Sequence, residues 1–123
     1  MQSFNVVLLQ SDSRVTQSLI ASLCNSFSSV REVRSLDDLR TSVARYGAGV
    51  AIVDMEMASV SDVERLSHDF PEVCIVCTHR LADEEMWTAA LNAGAADICL
   101  AYDTRGILKA ALRNGSLARS FAA

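Results

Sequence analysis

The sequence contains few of the residues that interrupt regular structure. Its 123 residues include one proline and five glycines, and only 6% of them are aromatic. Low-complexity chains, flexible linkers and collagen-like repeats contain far more proline and glycine, so these classes are excluded. Half of the residues are hydrophobic, which is enough for one domain with a buried core. We therefore expect residues 1–123 to form a single domain, either alone or as the N-terminal module of a longer protein.

The chain also lacks an excess of positive charge. Eleven Lys and Arg residues against 15 Asp and Glu residues give a formal net charge of −4, and Lys109 is the only lysine. Nucleic acids and anionic membranes require a basic surface, so neither is an expected partner of this domain. No apolar run reaches the roughly 20 residues that span a bilayer, and the N-terminus lacks the features of a signal peptide. The expected location is the cytoplasm, where the four cysteines would be reduced thiols in the core.

Short apolar segments alternate with amphipathic ones five times along the chain. The apolar segments are typical of strands in a parallel sheet and lie at 4–10, 30–35, 49–54, 73–78 and 96–101. In the helical segments, Ser35 should be an N-cap, Gly47 should end the same helix, and Ser61 with Glu64 should form a capping box. This order predicts a doubly wound (βα)5 domain of the α/β class, a flavodoxin-like three-layer sandwich with a five-stranded parallel sheet.

One acidic residue stands at the end of the third predicted strand. The segment "GVAIVD" (49–54) is apolar until Asp54. In doubly wound sheets, ligands bind outside the carboxyl ends of the strands, where the strand order reverses. Asp54 is therefore a candidate functional residue at that rim.

Four motifs, in the same order along the chain, resemble the receiver domain of bacterial response regulators. They are "VVLLQSDSRV" (6–15), "VAIVDMEM" (50–57), "VCIVCT" (73–78) and "ALNAGAADICL" (90–100). The resemblance implies that Asp54 is the candidate phosphoacceptor and that Thr78 is the hydroxyl that senses the phosphoryl group. It also implies a role in two-component, phosphorelay-type signal transduction.

The chain departs from this family at the positions that bind cations. The family holds Mg²⁺ through two acids after the first strand and the phosphoaccepting aspartate, but Gln10 and Ser11 occupy the positions of the two acids. Asp12 would supply one carboxylate beside Asp54 if the alignment shifted by one residue. Ala101 occupies the position of the lysine that the family has after the fifth strand. Ile98 occupies the position of the aromatic residue that signals the phosphorylation state in the family. The resemblance is therefore to an atypical receiver, or pseudo-receiver, with no expected cofactor unless the site is phosphorylated with Mg²⁺.

The two central residues have simpler alternative interpretations. Asp54 could accept hydrogen bonds from loop amides, in which case Asp54→Asn would leave the fold nearly unchanged. Thr78 could bond to neighbouring backbone. Glu56 could add a carboxylate to a cation site or be a solvated loop residue. "CIVCTHR" (74–80) also fits the phosphatase pattern Cys-x5-Arg, but it lies in an apparent strand without glycine, and Cys74 and Cys77 should face opposite sides of the sheet.

The fourth helix suggests a surface for a protein partner. Met86, Ala90 and Ala93 should face the core, and Trp87 and Leu91 lie on a neighbouring face. An exposed aromatic-aliphatic pair is a candidate partner face. The alternative places Trp87 against Tyr102 or the fifth helix.

The function predicted from the sequence is that of a receiver-like regulatory domain rather than an enzyme. In one hypothesis a histidine kinase phosphorylates Asp54 and Thr78 responds. In the other, a pseudo-receiver acts without phosphorylation, through a homodimer or contact with an output domain. It could then be the N-terminal module of a transcription regulator or of a pilus-assembly ATPase.

Overall fold

A computed structural model describes residues 2–81 and 83–122, and the side chains of 5–81 and 83–113. Five strands alternate with five helices along the chain. The strands are β1 (Gln2–Leu9), β2 (Phe27–Val33), β3 (Val50–Asp54), β4 (Cys74–His79) and β5 (Asp97–Leu100). The helices are α1 (Ser13–Leu23), α2 (Leu36–Tyr46), α3 (Val60–Asp69), α4 (Glu84–Asn92) and α5 (Thr104–Ala122). No helix in the described residues is long and apolar enough to cross a membrane.

The strands form one parallel sheet in the order β2-β1-β3-β4-β5. The core lies on both faces of this sheet. Helices α2, α3 and α4 pack on the face that carries Ala51 and Val53, and α1 and α5 pack on the face that carries Val50 and Ile52. The predicted flavodoxin-like three-layer sandwich is confirmed, because this strand order places the reversal between β1 and β3.

The ends of α2 follow the sequence prediction. The Ser35 side chain accepts a hydrogen bond from the Asp38 amide, and Gly47 ends the helix with φ 61° and ψ 47°. A left-handed conformation of this kind is strained for residues with a Cβ atom, so glycine is the natural C-terminal signal.

Three predictions of local structure are wrong. The capping box of α3 is formed by Ser59 and Asp62 instead of Ser61 and Glu64, because the chain is still extended at Ser59 and the helix begins one residue later. Strand β2 begins at Phe27, where a buried aromatic side chain anchors it, and ends before the predicted limit at 35. Cys24 is exposed at the C-terminal end of α1 rather than buried in the core.

The other three thiols lie in the sheet. Cys74 and Cys77 are buried on opposite faces of it, as the strand alternation predicts. Burial raises the pKa of Cys77 to about 12 and the pKa values of Cys74 and Cys99 to about 11. A catalytic cysteine needs a lowered pKa, and residues 74–79 form β4 rather than a phosphate-binding loop. The Cys-x5-Arg interpretation is therefore wrong.

These thiol environments predict a simple pattern of reactivity. At pH 8, thiols with pKa values near 11 are only about one-thousandth ionised, so Cys24 should be the single fast-reacting thiol of the folded protein. A disulfide reagent should modify all four cysteines after denaturation, and Cys24→Ser should remove the fast phase. Fast modification of folded Cys24→Ser protein would contradict the assignment of Cys24 as the fast-reacting thiol.

The free energy of unfolding should also fall as the pH rises above about 9, because the unfolded chain then loses thiol protons that the folded chain keeps.

Candidate functional site

The site lies at the carboxyl ends of β1, β3 and β4. Asp54 is the last residue of β3 and is paired in register with Thr78 of β4. Both residues are almost completely buried, although both are polar. β3 is the middle strand of the sheet, so the loops that follow β1 and β4 flank its end on both sides. A carboxylate in this position must obtain its hydrogen bonds from those loops.

The Asp54 carboxylate accepts three hydrogen bonds from its own chain. Its Oδ2 atom accepts from the Ser11 amide at 2.8 Å and from the Ser11 hydroxyl at 2.6 Å. Its Oδ1 atom accepts from the Glu56 amide at 2.9 Å. Asp54 thus joins the loop after β1 to the loop after β3. The predicted role of Asp54 as an acceptor for loop amides has a direct geometric basis.

Gln10 and Thr78 form a second link across the rim. The Gln10 Nε2 atom donates to the Thr78 Oγ1 atom at 2.9 Å, and Gln10 Oε1 lies 3.3 Å from the same oxygen. Thr78 is completely buried, so its hydroxyl group cannot bond to water and needs a partner within the protein. Gln10 is that partner. The simpler prediction, that the Thr78 hydroxyl bonds to neighbouring backbone, missed this side chain from the loop after β1.

An ion pair at the rim was not predicted from the sequence. Arg80 donates from Nε to Glu56 Oε1 at 2.5 Å, and Ser11 Oγ lies 3.3 Å from Glu56 Oε2. A signal was present in the sequence. Glu56 and Arg80 each follow by two residues the predicted end of a strand, and those predicted ends, Asp54 and Thr78, are register partners in the sheet.

The rim encloses a cavity of about 260 Å³. It is lined by Gln10, Ser11, Asp12, Val15, Asp54, Glu56, Arg80, Ala101 and Tyr102. Asp12 lines this cavity, but its Oδ1 atom accepts from the Arg14 amide at 2.8 Å and caps α1. No group of three or more His, Cys, Asp or Glu side chains suited to a metal ion occurs in the part of the chain that the structure describes.

The remaining predicted residues lie apart from these contacts or on another surface. Ala101 is buried and forms part of the cavity wall, and Ile98 is buried in the core beneath α4. Leu91 is exposed. Trp87 packs against the core on the sheet face covered by α2, α3 and α4, which contradicts its alternative position against α5. Its Nε1 atom is buried without an acceptor among the described residues.

The sequence matches no protein-family model and no curated protein. Solved structures share its fold at low sequence identity. One is the N-terminal signal receiver domain of a two-component response regulator from Bacteroides fragilis (TM-score 0.82, 18% identity, 94% of this chain and 98% of that chain). Another is a CheY-like response regulator receiver domain protein from Methanospirillum hungatei (TM-score 0.83, 14% identity, 97% and 98%). A third is NtrX from Brucella abortus (TM-score 0.87, 11% identity, 98% and 28%). The chain therefore has the fold of receiver domains.

The bonds of Asp54 revise the expectation for Asp54→Asn. An asparagine offers one acceptor oxygen, so its NH₂ group would face either the Ser11 donors or the Glu56 amide. We expect the substitution to lower the free energy of unfolding by about 1–3 kcal/mol, the cost of leaving buried donors unpaired. Urea denaturation measures it.

Ser11→Ala and a control substitution make this test specific. A cycle of Ser11→Ala and Asp54→Asn should show coupling of about 0.5–3 kcal/mol, because the two residues are in direct contact. Asp37→Asn removes the same charge from an exposed position on α2 and should cost about 0.3–1 kcal/mol. Equal effects of Asp54→Asn and Asp37→Asn, with no coupling, would show that the hydrogen bonds do not stabilise the rim.

Proposed function

We propose that this chain is a receiver-like domain of two-component signalling whose phosphorylation site is degenerate and which acts through protein contacts. The fold it shares with receiver domains supports the first part. The three hydrogen bonds that Asp54 accepts from Ser11 and Glu56 carry the second part. Internal donors occupy three of the about four lone-pair positions of this carboxylate, so Asp54 serves as a structural acceptor and is a weaker nucleophile than a free carboxylate.

The carboxylates at the rim do not fit a receiver-type Mg²⁺ site. Mg²⁺ favours carboxylate oxygens in a near-octahedral arrangement and gives up its water with difficulty. Gln10 and Ser11 bring neutral groups to the positions of the family acids, and Asp12 caps α1. Glu56 is paired with Arg80. Each nearby carboxylate therefore has a partner within the protein.

Phosphoryl transfer also needs fixed positive charge close to the reacting oxygens. Ala101 contributes none at the end of β5. Removing one such electrostatic partner typically costs about 2.7–4 kcal/mol of transition-state stabilisation. Arg80 is the cation that lines the cavity, and its guanidinium is engaged by Glu56. The alternative function, a receiver phosphorylated on Asp54 with Thr78 responding, would require Arg80 to leave Glu56 and take over the charge of the missing lysine.

A phosphorylation assay separates these two functions. After incubation with acetyl phosphate and Mg²⁺, we expect the intact mass of the protein to remain unchanged, because the electrostatic partners of transfer are absent. Mg²⁺ at millimolar concentration should leave the amide NMR signals of the rim unchanged. A stoichiometric phosphate adduct that Asp54→Asn abolishes and Arg80→Gln reduces would establish the alternative.

The proposed protein contact lies on the β5 side of the sheet. Exposed large hydrophobic side chains are concentrated between positions 81 and 102, at Leu81, Leu91, Leu100 and Tyr102. Trp87 is half-buried and packs against the core, whereas Leu91 is exposed. Leu91 is therefore the residue that presents apolar surface on α4. Apolar side chains grouped on one part of a surface favour association with a protein.

We propose a homodimer or an output domain as the partner. An output domain on the same chain is compatible with the likeness to NtrX, where the match covers only 28% of the longer chain. A transcription regulator or a pilus-assembly ATPase is a candidate for the longer protein.

Charge substitution on this surface tests the contact. Leu91→Lys with Leu100→Lys should abolish self-association in sedimentation equilibrium, because charged groups would have to be desolvated in the interface. Ala21→Lys introduces a lysine at an exposed position of α1, outside this surface, and serves as the control. A protein that is monomeric at its highest soluble concentration, and whose partner binding is unchanged by both substitutions, would refute the proposed surface.

A further inference from the structure

A concentration of arginines at the other edge of the sheet has no role in the site described above. Four of the 11 Lys and Arg residues of this acidic chain fall between positions 31 and 45. Arg40 is paired with Asp69 on α3. Arg31, Arg34 and Arg45 form no ion pair within the described part of the chain, and they line one concavity of about 320 Å³ between β2 and α2.

Two of these arginines are held against one aromatic ring. The guanidinium carbon of Arg31 lies 3.8 Å from the centroid of the Tyr46 ring, and that of Arg45 lies 5.7 Å from it. Tyr46 is itself fixed, because α2 ends at the left-handed Gly47 and the Asn5 amide group donates to the Tyr46 carbonyl at 2.9 Å. Cation–π contacts therefore hold two like charges near each other. Their mutual repulsion would be relieved by an anion, and their ordering lowers the entropic cost of binding one.

The position of the arginines indicates the form of the anion. β2 is an edge strand that pairs with β1 on one side and with no other strand of the described sheet. Edge strands accept an added extended segment through main-chain hydrogen bonds, and side chains at the edge select its sequence. Arg31 lies on β2 itself, and Arg45 lies at the C-terminal end of the neighbouring α2. A segment running along β2 would pass both.

We propose that the β2–α2 edge is a docking surface for an extended acidic peptide segment of a partner protein, whose carboxylates pair with Arg31, Arg34 and Arg45. Glu32 and Asp38 line the same concavity. They disfavour a dense polyanion such as nucleic acid and favour spaced carboxylates that fall between them. The proposal does not depend on the phosphorylation state of Asp54 or on the contact at β5. The simpler function of edge charges is to prevent strand addition altogether, and the experiment must distinguish the two.

The probe is a fluorescein-labelled decapeptide of alternating Glu and Thr, titrated against the full chain and followed by anisotropy and amide NMR shifts. We expect saturable binding that weakens with added salt and NMR shifts confined to 28–34 and 43–48. The Arg31→Gln, Arg45→Gln double variant should weaken binding about two- to thirtyfold, the effect of losing two exposed charge pairs. The double variant Arg65→Gln, Arg113→Gln changes the same number of exposed charges elsewhere and should bind as the wild type does.

Three results would overturn the proposal. The first is no binding of the acidic peptide, which would assign the edge charges to protection against strand addition. The second is equal binding of a matched Gln-Thr peptide. The third is tighter binding of a single-stranded DNA decamer at the same arginines, which would make the edge a nucleic-acid surface. Circular dichroism should show unchanged secondary structure in every variant, because all four substituted arginines are exposed.

Discussion

The burial of the central strand sets the conditions for the rest of the rim. Every residue of β3 is buried, including Asp54 at its end, because strands and helices cover it on all sides. A carboxylate in such a place is costly unless donors surround it. The chain supplies these donors from the loop after β1 and from the backbone of the loop after β3. The position of Asp54 thus follows from the fold, and the conformation of two loops follows from Asp54.

The same constraint explains why neutral residues beside Asp54 are compatible with a stable fold. A pair of acids at positions 10 and 11 would repel Asp54 and would require a cation to offset that repulsion. Gln10 and Ser11 remove the repulsion and contribute donors, one to Thr78 and two to Asp54. Glu56, another acid near Asp54, is paired with Arg80. Each acid at the rim therefore has a hydrogen-bond or ion-pair partner within the protein, and this is the physical basis for proposing a signalling domain that does not depend on a phosphoryl group.

The architecture could be predicted from the sequence because it depends on the spacing of apolar residues and on the order of strands and helices along the chain. Alternating apolar strands and helical stripes were sufficient for the five-stranded sheet, and the short-range signals at Ser35 and Gly47 placed both ends of α2. The capping box of α3 was misplaced because two serines two residues apart offer equivalent patterns, and only the backbone angles of Ser59 distinguish them. The Gln10–Thr78 and Glu56–Arg80 contacts join residues that are distant in sequence, so they could be found only from the register of paired strands.

The two edges of the sheet differ in the chemistry that they present. The β5 side carries exposed leucines and Tyr102, whereas the β2 side carries arginines ordered on Tyr46. Apolar surface favours a partner with a complementary apolar face, which in a homodimer is the same surface of a second copy. The basic edge instead attracts acidic surfaces, although the whole chain has a net charge of −4. It therefore orients an acidic partner as that partner approaches. Because the two surfaces lie at opposite ends of the strand order, one molecule can present both at once, so a contact at β5 leaves the β2 edge accessible.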